Sequence, residues 1–256
     1  MKKLLAAASV ALTLGLGGPG AGSALAAGGA AIPDHDFSFE GIFGTFDRPS
    51  AQRGLKVYNS VCANCHGMKF VAFRTLSDLG FSEAEVEAIA AQYRVEDGPN
   101  DQGEMYMREA KASDTFPSPF ANDAAAKAAN GGAMPVDLSV ITQARPKGPE
   151  YLYALLTSYT EPPADADVPP GTYWNEAFPG HQIKMPPPLS EGLVDYQDGT
   201  EATVAQMAHD VTTFLHWAAE PHMEARKRTG IGVVLFLLVF TGLLYATKRK
   251  IWRDLH

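Results

Sequence analysis

The chain has 256 residues, 46% hydrophobic and 20% charged, with 24 glycines, 18 prolines and a formal net charge of −8. This balance excludes a low-complexity or disordered polypeptide, and the length allows one large domain or two small ones once any targeting segment is removed. The acidic excess repels a phosphate backbone and excludes nucleic acid as a partner.

In chain order, Lys2 and Lys3 precede a short apolar run, Leu4 to Leu16, and then Ala24-Leu25-Ala26. A basic start, a short apolar stretch and an A-x-A site mark residues 1–26 as a cleaved export signal. The run is too short to span a bilayer comfortably. It also lacks the arginines of a mitochondrial transit peptide, so a bacterial exported protein starting near Ala27 is expected.

The head, residues 27–225, reads as mainly α, with helices joined by long loops. Prolines crowd into Phe116 to Phe120, Pro162 to Pro170 and Pro186 to Pro188. Arg48-Pro49-Ser50 precedes a helix through Leu55, Val57 and Tyr58. Ser82 and Glu85 form a capping box for a helix to about Tyr93. Met105 and Met107 fall in a short predicted helix. Asn122 to Asn130 is alanine-rich and stops at Gly131-Gly132, which suits a C-cap. Pro149, at a first turn, opens a helix through Leu152, Leu155, Leu156 and Tyr159. From Thr200, Val204, Met207, Val211, Phe214 and Leu215 recur on one helical face as far as Pro221. No alternating pattern longer than a few residues appears.

A transmembrane anchor is assigned to residues 226–248, followed by a short cytoplasmic tail, residues 249–256. Its uncharged stretch, Thr229 to Thr247, is 19 residues, or about 28 Å as a helix, close to the hydrocarbon thickness. Arg226, Lys227 and Arg228 precede it; Lys248, Arg249, Lys250 and Arg253 follow. The positive-inside rule thus leans slightly toward a cytoplasmic C-terminus. The export signal decides, placing the head on the periplasmic side of the inner membrane. That head holds 12 basic against 28 acidic residues, a field that favours salt-sensitive encounter with a basic partner.

The chemistry centres on Cys62-Ala63-Asn64-Cys65-His66, which contains both cysteines of the chain. An exported cysteine pair can be a disulfide, a redox pair or half a zinc site. A redox pair wants a βαβ setting, which is lacking, and zinc wants two further ligands at similar spacing. Histidine directly after the second cysteine is the c-type haem signature. Two thiols three positions apart on a helical turn reach the vinyl groups on one porphyrin edge, and the next side chain meets the iron. The opposite axial position takes a Met for electron transfer at raised potential, or stays open for ligand binding. Met68 is too close to His66 to cross the ring. Met134 and Met185 each precede proline, which stiffens an extended loop. Met185, before three prolines, leads; Met134 is second, and His181 would give a bis-histidine site.

These pieces also carry a resemblance. Pro33 to Gly41, Cys62 to His66, Asn130 to Leu138, Gln143-Ala144-Arg145, Tyr151 to Pro163, Phe178 to Pro187 and Phe214 to Pro221 follow one another as in cytochrome c1 of the cytochrome bc1 complex. The chain resembles that family over nearly all its mature length. The resemblance implies a cytochrome c-like helical haem domain with long inserted loops and one C-terminal transmembrane helix. It implies one haem c per chain, bound through Cys62 and Cys65, with His66 and Met185 as axial ligands. Arg145 matches an arginine that meets a haem propionate, with Tyr151 beside it and Pro135 packed near the ring. The implied partners are cytochrome b, the Rieske iron–sulfur protein as electron donor and a cytochrome c as acceptor. No bond-making step on a substrate falls to this chain by itself. The extra cysteine pair of some members is missing. Rival readings are another anchored electron-transfer cytochrome, or a haem enzyme or sensor with an open site.

Overall fold

The structure is a computed structural model and describes residues 32–253; the expected export signal and the last three residues lie outside the described residues. Helix α1 (Arg48–Ser60) starts where the Asp47 carboxylate accepts from Ser50 N, with Pro49 in the first turn, a stable opening because neither uses a helical donor. It runs directly into a 3₁₀ turn at Cys62–Asn64. Strand β1 (Met68–Ala72) leads to a 3₁₀ segment, Phe73–Leu79, closed by Gly80 in the left-handed region at φ +95°. Helix α2 (Glu83–Ala90) has the predicted capping box. It stops three residues earlier than expected, because Tyr93 turns inward and its hydroxyl donates to Asn59 Oδ1 at 2.7 Å.

Strands β2 (Arg94–Asp97) and β3 (Tyr106–Glu109) form an antiparallel hairpin. This corrects the helix expected around Met105 and Met107. Arg94 lies opposite Glu109 in the ladder, and Arg108 pairs with both Asp97 and Asp114. A helix there would have had no apolar face to bury, since Met105, Tyr106 and Met107 are all exposed. Strand β4 (Thr115–Phe116) pairs with β1. Helix α3 (Asp123–Ala129) is capped by Asn122. Helix α4 (Gly148–Thr157) follows a 3₁₀ turn at Ile141–Gln143. Strands β5 (Tyr173–Trp174) and β6 (Gln182–Ile183) make a second small hairpin. Helix α5 (Val204–Ala219), capped by Thr203, precedes α6 (Met223–Trp252).

The centre of the head is the crossing of α1 and α5. Leu55, Val57 and Tyr58 pack with Met207, Val211, Phe214 and Leu215, while Phe73, Leu76, Leu79 and Phe116 close the other side. The axes approach closely at Gly54, where a Cβ would lie 2.0 Å from Asp210 O and 2.7 Å from Phe214 Cβ. Gly54→Ala therefore sets two effects against each other. Helix propensity favours alanine by about 1 kcal/mol, whereas forcing a methyl against backbone costs about 1–3 kcal/mol or more. The contact should win, and a lowered denaturant midpoint is the expected result.

The Asp210 side chain is completely buried. It accepts from Ser50 Oγ at 2.7 Å, from Arg53 Nε at 2.9 Å and Nη2 at 3.0 Å, and from Gln206 at 3.0 Å. Arg53 also reaches Asp198 at 2.8 Å. One carboxylate thus fastens α1 to α5 inside an otherwise apolar contact.

A second cluster seats the segment before α1 against α5. Phe37, Phe39 and Phe46 are buried, and the His216 ring packs tilted against Phe39 at 4.3 Å with Nδ1 3.1 Å from Thr142 Oγ1. Burial, helped by Lys227 and Arg226 and opposed by Glu220, lowers the His216 pKa to about 4. Between about pH 6.5 and 4 the unfolded chain binds a proton here that the folded chain does not, so stability falls as pH drops through that window, by up to about 3 kcal/mol. Burial also lowers His35 and His209, adding in the same direction. Thermal melts from pH 7 to 4 should show this loss, and His216→Gln should flatten part of it.

Helix α6 is long and apolar enough to cross a membrane, and its apolar window is not buried by the rest of the chain. At about 1.5 Å per residue its 30 residues extend beyond the uncharged stretch at both ends. The architecture is a mainly helical haem-type domain with long loops and one C-terminal transmembrane anchor.

Candidate haem centre

The 3₁₀ turn after α1 presents the cysteines. Cys65 N and His66 N both donate to Cys62 O, at 3.0 and 2.8 Å, which puts both thiols and the imidazole on one turn. The two cysteines form no disulfide with each other, and burial pushes the Cys62 thiol up to about 12. Tyr58, itself buried in the core, donates its hydroxyl to His66 O at 3.0 Å. The turn is therefore held from α1.

His66 Nδ1 lies 2.6 Å from Val136 O. A carbonyl can only accept, so the proton sits on Nδ1 and Nε2 keeps its lone pair. Desolvation lowers the His66 pKa, which also favours the neutral ring. The Val136 segment is laid against β1 by three further bonds: Leu138 N to Gly67 O at 2.9 Å, Lys69 N to Asp137 Oδ2 at 3.0 Å, and Phe70 N to Ser139 Oγ at 3.1 Å. Pro135 is half-buried at the head of this segment, while Met134, Val136 and Val140 are exposed.

Met185 follows β6 on a loop stiffened by Pro186, Pro187 and Pro188. Tyr159, just past α4, donates its hydroxyl to Met185 O at 3.1 Å. Lys184 Nζ reaches Gly131 O at 3.1 Å, joining this loop to the segment that carries Pro135 and Val136. The Met185 thioether takes part in no hydrogen bond among the described residues, and its side chain is half-buried.

The sequence model of the Cytochrome C1 family matches residues 37–255. The chain belongs to the cytochrome c1 family. It is 52% identical over 246 residues to the cytochrome b/c1 of Bradyrhizobium diazoefficiens, covering 88% of this chain but only 36% of that longer protein. It is 46% identical to cytochrome c1 of Rhodospirillum rubrum, covering 99% of this chain and 97% of that one. A mitochondrial cytochrome c1 heme protein of Solanum tuberosum is 49% identical over 82% of this chain and 80% of its own.

Membership of the cytochrome c1 family implies covalently bound haem c, and the donor set fits that group. Two thiols share one turn, the next imidazole has a free Nε2, and a thioether stands on a rigid loop linked to the same segment. His181, the alternative ligand, is held on the β5–β6 turn. Its ring stacks on Trp174 at 5.0 Å, and its Nδ1 faces Asn175 O at 3.2 Å. It also sits at φ +61°, closing the β5–β6 turn after Gly180. Met134 is about half exposed on a loop with two glycines at positive φ.

Arg145 follows the Ile141–Gln143 turn and is exposed. Its guanidinium bonds only to Ala144 O, at 3.3 Å, so among the described residues it has no carboxylate partner. Tyr151 is half-buried in α4 with its N–H bonded to Lys147 O at 2.7 Å. The turn before α4 is tight. A Cβ on Gly148 would sit 1.6 Å from Thr142 O, and Lys147 adopts φ +49°.

Sequence reasoning missed the side chains that hold these groups: Tyr58, Tyr159, Ser139, Asp137 and above all Asn175. Asn175 is fully buried; its Nδ2 donates to Leu155 O at 2.8 Å and its Oδ1 accepts from Ala177 N and Phe178 N at 3.0 Å each. It ties α4 to the hairpin that delivers Met185. Asn175→Ala orphans these buried backbone groups and should destabilise by about 2–3 kcal/mol, read as a lower urea midpoint.

Proposed function

We propose that this chain is the membrane-anchored monohaem electron carrier of a cytochrome bc1 complex, taking electrons from a Rieske iron–sulfur protein and giving them to a cytochrome c. The observation that carries this reading is the His66 ring. Its Nδ1 proton is engaged by Val136 O, so Nε2 is held unprotonated beside two thiols on the same turn.

In this reading Cys62 and Cys65 would hold one haem c through thioethers, and His66 and Met185 would bind its iron. When bound, the haem supplies a one-electron iron couple whose potential is raised by His/Met ligation. The remaining work belongs to this chain. Val136 O orients the imidazole and raises its basicity. Tyr159 and the three prolines hold the Met185 loop, which limits reorganisation between redox states. Arg145, without a carboxylate partner among the described residues, would meet a propionate, with Tyr151 and Pro135 near the ring. The acidic head favours rapid encounter with a basic carrier.

Residues 1–26 act as the export signal, residues 27–225 as the periplasmic haem domain and residues 226–248 as the anchor, with residues 249–256 cytoplasmic. Cytochrome b is the partner within the membrane. The test is purification through the anchor from membranes, followed by a denaturing gel and an inventory of haem and iron–sulfur. One haem that stays on the chain under denaturation, with cytochrome b and an iron–sulfur protein alongside, supports the reading. A chain without covalent haem refutes it, and a chain with haem but no such partners makes it a different tethered cytochrome.

A further inference from the structure

Two of the most exposed large apolar side chains of the head occur together. Ile42 is 68% and Phe43 83% exposed, although Phe37, Phe39 and Phe46 on either side are buried. The turn that carries them is built and closed. Glu40 N donates to Phe37 O at 3.1 Å and Thr45 N to Ser38 O at 3.0 Å. Gly41 takes φ +68°, and a Cβ on Gly44 would lie 1.9 Å from Glu40 O. Exposure of these two side chains is thus a property of a fixed turn.

The turn is fastened to the start of α6. Lys227 Nζ donates to Phe39 O at 2.6 Å and to Gly44 O at 3.1 Å, one carbonyl on each side of the exposed pair. Glu224, one turn earlier, accepts from Phe46 N at 2.8 Å and pairs with Arg48 at 2.9 Å. Lys227 stands four residues before Ile231, about 6 Å along the axis from the apolar run. The polar zone on each side of a bilayer is itself about 5–7 Å deep. The lysine ammonium that would otherwise sit in the headgroup zone is spent on the loop's carbonyls, so the turn rides at that depth wherever the anchor goes.

We infer that the Glu40–Gly44 turn is a second membrane contact, in which Ile42 and Phe43 enter the lipid interface beside α6 and fix the head's height and tilt on the bilayer. The occupant is lipid because Lys227 fastens the turn one helical turn from the apolar run of α6, and that run is not buried by the rest of the chain. A fixed apolar tip beside a spanning helix is also the arrangement that interfacial anchoring favours. The inference rests on α6 spanning the membrane, and it holds whatever cofactor the head carries.

The test uses the full chain in nanodiscs of zwitterionic and anionic phospholipid. Nitroxide labels are placed at Phe43→Cys, at Ile231→Cys as the lipid reference and at exposed Met107→Cys as the aqueous reference; the parent chain put through the same labelling is the blank for any reaction at Cys62 or Cys65. Collision with oxygen relative to a water-soluble nickel chelate should be several-fold higher at position 43 than at 107, and similar in sign to 231. A ratio at 43 equal to that at 107 overturns the proposal. So does a label at 43 that is aqueous in nanodiscs but shielded from both reagents in the intact multisubunit preparation, since protein then covers the turn. An aqueous ratio at 231 would overturn the anchor and this inference together. Because Phe43 is solvent-exposed, unchanged melting of the variant checks that the fold is intact.

Discussion

Met185→Leu should lower the midpoint potential of the holoprotein by on the order of 100 mV or more, within the roughly 0.8 V range that axial ligands command, and should open the iron to carbon monoxide. Leucine nearly conserves the methionine's volume, so little loss of fold stability accompanies the change. The loop's other supports are backbone-directed: Tyr159 bonds to the Met185 carbonyl and Lys184 to Gly131 O, and neither depends on the thioether. A redox titration and a carbon monoxide difference spectrum read the two effects together. Met134→Leu is the discriminating control. Met134 is about half exposed on a glycine-rich loop, and its loss should leave the potential nearly unchanged. If Met134→Leu collapses the potential and Met185→Leu does not, the ligand assignment is reversed.

What was readable beforehand follows from how locally each feature is encoded. The capping box at Ser82 and Glu85, the Asn122 start of α3, the Pro149 turn and the apolar stripe of α5 are signals within a few residues of the structure they specify, and each appears as expected. The cysteine–histidine turn is equally local. The supports of the site are not. Asn175 bonds to Leu155 O across 20 residues and His66 to Val136 O across 70, and nothing near Asn175 in sequence announces a buried amide. The hairpin of β2 and β3 is hidden from the sequence for the same reason. Its register rests on Arg108 meeting Asp97 and Asp114, a pairing that exists only after the chain has turned. Gly54 is the sharpest case, since a glycine inside a helical pattern looks like a weakness until α5 is seen lying against it.

Asp210→Ala tests how much of the head depends on that crossing. The substitution removes the acceptor for Ser50 Oγ, both Arg53 bonds and the Gln206 amide. It leaves a cation whose side chain is only 17% exposed. Breaking one partner out of a buried pair costs about 3–5 kcal/mol. Here the surviving bond from Arg53 to Asp198 at 2.8 Å and the Tyr196 ring under the guanidinium retain part of the charge's compensation. The lower end, about 3 kcal/mol, is therefore expected. For a domain of this size that corresponds to a fall in Tm of about 6–12 °C. Asp210→Asn keeps the shape and the Ser50 contact and should lose less than half as much. Because α1 leads straight into the Cys62 turn, the same variant asks whether the crossing also positions the site. The Tyr58 bond to His66 O and the Val136 bond to its ring lie beyond the lost contacts. The potential should hence move far less than the melting temperature. A potential shift comparable to that of Met185→Leu would mean that α1 transmits strain to the imidazole, and that Val136 and Tyr58 do not hold it alone.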